Sequence, residues 1–240
     1  MQDLKQAYQL AMYELRTAKI SYFGSVILYL LISLLFLVVD GKGKTIGWTI
    51  NDILLMVIFC FAPYYMKPKE FQLQKISGDL WASPSVILLR QLPIKENVLI
   101  WSRLIVYSFY SLLPQIILLI ALYLLSSNYR EIMTPTEYMI FSIIWLAIGI
   151  IIGFSMAASD VGEFINPKSM IMASIIIITS LAIIYFIFYR VLEDGIVRWT
   201  IYIASEWSFL SIVISIIVTI LSVKYWIHYM KKKMTELDYL

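Results

Sequence analysis

The sequence predicts an all-α polytopic membrane protein: six transmembrane helices, an N-terminal interfacial helix, and cytoplasmic N and C termini. Three observations carry this. Six apolar stretches, residues 20–39, 53–66, 104–125, 138–158, 170–189 and 207–223, contain no charged residue, and about 20 mostly apolar residues cross the hydrocarbon as a helix. Across 240 residues, 61% are hydrophobic and the mean hydropathy is +0.82, well outside the range of soluble domains. Finally, with six spans, 14 of the 19 Lys and Arg residues fall on the side that holds both termini, and cytoplasmic loops are the basic ones. The net charge of +3 is then a consequence of topology and requires no nucleic-acid partner.

The N-terminal arm, 1–19, repeats apolar residues at Leu4, Ala7, Tyr8, Ala11, Leu15 and Ala18, with Lys5, Gln9 and Glu14 off that stripe. This spacing predicts an amphipathic helix in the membrane interface. No cleavable signal peptide is expected from so polar a start. The second apolar stretch is the shortest and extends outward through Trp48–Asp52, where Asp52 reads as a solvated helix start. The segment 67–103 is the one long polar island, with six basic residues. Within it Gly78-Asp79 reads as a turn, and Ser83-Pro84 as a helix start with Ser at the N-cap and Pro at the first position. That helix, 84–92, must stop at Pro93. Beyond it a long helix runs into the third span, kinked near Pro114.

The fourth span carries Gly149, Gly153 and Ala157 at four-residue intervals, which marks a close helix-packing face. The sixth span places Ser211, Ser215 and Thr219 on one face. Such hydroxyls either line a polar path or bond backbone carbonyls. The outer segment 190–206 is semi-apolar, consistent with a short helix dipping into the outer leaflet or with a surface loop. The tail, 224–240, continues the last helix, and its Lys231–Lys233 run suits anionic lipid.

Several chemistries are excluded. "GKGKT" at 41–45 lacks the glycine that a phosphate-binding loop requires at position 38, which is Val38. His228 is the sole histidine, and the sole cysteine, Cys60, cannot form an intrachain disulfide. No nucleophile motif or pair of carboxylates lies within the spans, which argues against an enzyme and against a proton-coupled carrier.

The segment "LLRQLPI" (88–94) followed by "VLIWSRLI" (98–105) is similar to the Leu-Leu-x-x-Leu-Pro-Ile stretch that leads into the third span of ABC-2-type (type V fold) ABC exporter permeases. The resemblance extends to the interfacial helix, the six spans, the loop between spans two and three, and the semi-apolar outer loop. It implies a permease subunit that dimerises with an identical or different second permease chain and couples to a separate ABC ATPase subunit. No cofactor is then expected in this chain, since ATP and Mg belong to the partner ATPase. The island becomes the coupling loop, with Trp81, Leu88 and Leu89 as anchors and Lys75, Asp79 and Arg90 as polar contacts. Gln115, Ser211, Ser215 and Thr219 become candidates for the translocation path. Uncharged spans suit an amphipathic peptide or lipid-like cargo, and the chain is similar to amphipathic-peptide exporters of bacterial plasma membranes, phenol-soluble-modulin systems among them. The competing reading is a non-transporting membrane sensor or anchor of a peptide-immunity system.

Overall fold

The computed structural model describes residues 2–40, 44–60, 67 and 71–237. The inner end of the second apolar stretch (61–66), the island's first residues after Lys67 (68–70) and most of the "GKGKT" segment (41–43) lie outside the described residues.

The structure is mostly helical. Four helices among the described residues are long and apolar enough to cross a membrane: α5 (Glu96–Leu125), α7 (Pro135–Ser159), α8 (Pro167–Val191) and α10 (Ser208–Glu236). They coincide with the third to sixth apolar stretches. The first two stretches fall on α2 (Lys19–Asp40) and α3 (Lys44–Cys60). The 22 residues of α2 rise about 33 Å.

α1 (Gln2–Thr17) is the expected amphipathic helix. Its buried stripe is Ala7, Ala11 and Leu15, continued by Ala18. These small side chains let it lie close along the first half of α5, while Leu4, Tyr8 and Tyr13 stay exposed. The chain passes almost directly into α2, with the Ala18 amide still donating to Glu14 O at 3.0 Å.

The island folds into more than one helix. Gln74–Ser77 (β1) and Leu80–Ala82 (β2) form an antiparallel hairpin whose turn is Gly78-Asp79, with Gly78 at φ 52 in the left-handed region. β2 then pairs with β3 (Glu163–Phe164), placing Leu80 opposite Phe164 and Trp81 opposite Glu163. This small sheet has no counterpart in the expected all-α architecture. Its strands are two to four residues long, too short to show alternation. α4 (Pro84–Arg90) follows, with Pro84 in its first turn. Ser83 occupies the N-cap position, but its hydroxyl donates to Phe71 O at 3.0 Å, fastening the loop instead of capping the helix.

α5 is one long helix with a π-helical turn at Ser108–Leu112, just before Pro114. Proline has no N–H to donate and crowds the preceding turn, and a widened turn relieves both problems. α6 (Ser127–Ile132) leads to α7, which starts with a capping box in which Thr134 and Glu137 satisfy each other's backbone amides around Pro135. α8 starts under an Asn166 cap, with the Ser169 amide donating to Asn166 Oδ1 at 2.7 Å. α9 (Ile196–Glu206) shows that 190–206 contains a helix, packed against α3, α7 and α10.

The described residues form two large apolar cores at opposite ends and a smaller one where Ala11, Leu15 and Ala18 meet Val106 and Tyr110 of α5. One large core is aromatic, built from Tyr29, Phe59, Tyr129, Tyr138, Phe141 and Trp145 with aliphatic residues of α5 and α9. The other joins Leu99, Leu104 and Tyr107 of α5 to Ala157 and Ala158 of α7 and to Met230 and Met234 of α10. α8 belongs to none of these cores, and none of its 18 most apolar residues is buried.

Candidate functional site

At the second core, four charged side chains meet inside the protein. Arg103 in the second turn of α5 is fully buried and pairs with Glu14 of α1. Lys67 pairs with Asp160, at the end of α7, with both side chains only 1% exposed. The two pairs touch, since Arg103 Nη1 lies 4.0 Å from Asp160 Oδ2. Tyr107 closes the cluster: its hydroxyl donates to Asp160 Oδ1 at 3.3 Å, and its ring centroid lies 4.7 Å from Lys67 Nζ. Two positive and two negative groups compensate one another. Burial pushes the Asp160 carboxyl up and the Lys67 ammonium down, and each partner's opposite charge pulls the other way.

These residues come from four places in the chain: α1, the start of the island, α5 and the end of α7. The cluster therefore ties the interfacial helix and both ends of the island to two long helices. Backbone bonds reinforce this, with the Ser83 amide donating to Asp160 O at 3.0 Å and the Ile165 amide to Asp79 O at 2.7 Å. Breaking one member of such a buried pair costs about 3–5 kcal/mol, because the other charge is left uncompensated. The described part of the island is thus tied at several points to α5 and to the end of α7.

The residues expected at the coupling loop divide between two faces. Lys75, Asp79 and Leu88 point to solvent, Leu88 with 63% of its surface exposed and Leu92 beside it with 53%. Trp81 is half-buried in the hairpin. Leu89 turns inward against the second core. Arg90 also serves the inside: Nη1 donates to Glu96 Oε1 at 2.7 Å and Nη2 to Met234 O at 3.0 Å. That links α4 to α5 and to the end of α10.

The small residues of α7 receive polar side chains from α5. A Cβ on Gly149 would collide with Gln115 Oε1, and one on Gly153 would lie 3.2 Å from Ser111 Oγ. Ala157 packs in the second core. Gln115 is fully buried at this crossing, and neither end of its amide has a hydrogen-bond partner. Ser211 Oγ donates to Trp207 O at 2.7 Å and Thr219 Oγ1 to Ser215 O at 2.7 Å, while Ser211 and Ser215 are buried.

Glu14, Lys67, Arg103, Tyr107 and Asp160 were not singled out from sequence. A signal exists for three of them: Lys67 and Arg103 directly flank apolar stretches and Asp160 lies one residue beyond another, all on the same side of the predicted membrane. Asp52 differs from its expected solvated role, being only 3% exposed. No group of His, Cys, Asp and Glu capable of holding a metal occurs among the described residues. No family model matches the chain, and neither the search of curated proteins nor that of solved structures found a match.

Proposed function

We propose that this chain is the membrane-embedded permease subunit of an ATP-driven exporter of the ABC-2 type. In this reading six helices span a bacterial plasma membrane, both termini are cytoplasmic, and ATP is hydrolysed on a separate subunit. The observation that carries the proposal is the anchoring of the island at several points. A docking element transmits motion only if it is joined to the spans without slack, and here α4 is tied to α5 and α10 through Arg90, bonded to Glu96 and to the Met234 carbonyl, while the hairpin is tied to the segment after α7 by the β2–β3 pairing. The island's exposed residues include Lys75, Asp79, Leu88 and Leu92, and exposed leucines are suited to a protein partner.

α8 supports a second permease chain. It is apolar around its circumference, and among the described residues none of its 18 most apolar residues is buried, as expected for a helix that meets a partner within the membrane. Spans without unpaired charges favour an amphipathic peptide or lipid-like cargo over an ion. The test is reconstitution with the ATPase that co-purifies from the native membrane. ATP-dependent movement of a labelled amphipathic peptide into inverted vesicles is expected. Peptide binding without movement would instead support a sensor or anchor, and failure to recover any ATPase would remove the exporter reading.

A further inference from the structure

At the end of the bundle opposite the charged cluster, one carboxylate joins three elements. Asp52 of α3 accepts hydrogen bonds from the Ile196 amide at 2.9 Å, the Val197 amide at 2.7 Å and the Tyr189 hydroxyl. The first two are amides of the opening turn of α9, which has Gly195 at its N-cap and no side-chain cap of its own. Asp52 therefore caps α9 from another helix, 144 residues away, and its negative charge sits at the positive end of the helix dipole. Gly195 makes the arrangement possible, since a Cβ there would collide with Asp52 Oδ2.

Beyond this cap α9 packs against α3, α7 and α10. Val197, Thr200, Ile201 and Ala204 form its buried side, and Trp145 Nε1 donates to Thr200 Oγ1 at 3.2 Å. Its other face, including Tyr202, is exposed. The turn leading into it passes through Glu193 at φ 57, a left-handed conformation that side-chain-bearing residues seldom adopt. Tyr189 lies near the C-terminal end of α8, none of whose 18 most apolar residues is buried.

We propose that Asp52 is a charge-dependent latch that holds α9 docked across this end of the bundle and fixes the far end of α8. Loss of its negative charge releases α9 while α5 and α7 stay folded. This goes beyond the exporter reading and does not depend on it. An Asn at this position is nearly isosteric, but its NH2 group would face N–H donors or leave one of them unpaired.

Hydrogen–deuterium exchange of the full chain in lipid nanodiscs tests the latch. In Asp52→Asn the amides of 190–206 should exchange at least about tenfold faster than in wild type, as expected for losing a charge-assisted bond, with α5 and α7 unchanged. Gly195→Ala, which wedges the carboxylate away without altering any charge, should reproduce the pattern. Unchanged exchange in 190–206 for both variants overturns the proposal. So does an equal loss of protection throughout the bundle, which would make Asp52 an ordinary core residue.

Discussion

Arg103 and Gln115 lie on the same helix and meet burial differently. Arg103 has carboxylates on both sides, from Glu14 and Asp160, so its charge is compensated. Arg103→Gln should destabilise the protein by about 3–5 kcal/mol, because Glu14 is then left as an unpaired buried charge. Thermal unfolding in detergent would show this, and adding Glu14→Gln should recover a large part of the loss. Gln115 instead fills the space left by Gly149. Gly149→Ala forces the two into collision and should cost about 1–3 kcal/mol, with Gln115→Ala relieving it in the double variant. Residue-level legibility was uneven. The glycine stripe was readable because spacing alone reveals it. The polar side chains seated in it were not, since nothing local indicates which face of α5 meets α7.

Among the elements, the island shows most clearly what a local reading reaches. The Gly78-Asp79 turn, the Ser83-Pro84 helix start and the stop before Pro93 are all set by backbone chemistry within a few residues, and each is observed. The strands beside that turn were not foreseen. β2 depends on β3, which lies about 80 residues further along and has two residues, so pairing decides its structure and not propensity. Gly162 makes the approach possible: its φ is 115, and a Cβ there would lie 3.0 Å from Ala82 Cβ. Gly162→Ala should therefore loosen β3 from β2, raising deuterium exchange at residues 80–82 and 163–165 while α7 keeps its protection. The amphipathic α1 was equally legible as an element, whereas its anchoring through Glu14 was not.

For the molecule as a whole, the coupling reading makes a paired prediction from two adjacent leucines. Leu88 is exposed, so Leu88→Asp should change stability by no more than about 0.5 kcal/mol yet reduce permease-stimulated ATP hydrolysis severalfold. Leu89 faces the core, and Leu89→Asp should unfold the inner end of the bundle, lowering the melting temperature before any ATPase is present. If Leu88→Asp leaves stimulated hydrolysis intact, α4 is not the docking element. A cysteine at Ile176 on α8, with Cys60→Ser as background, should form an intermolecular disulfide in membranes if α8 meets its counterpart, and none if α8 faces lipid alone. Composition and residue spacing point to a membrane protein, locate the four long apolar helices and mark the turns of the island. Hydrophobic length and backbone stereochemistry act over short windows, so composition and spacing record them. Helix packing in three dimensions is what takes Lys67, Arg103 and Asp160 out of water to pair with one another and with Glu14, and what sets Asp52 as the cap of a helix 144 residues away. A buried charge is stable only beside its partner, and which partner it finds depends on how the helices pack.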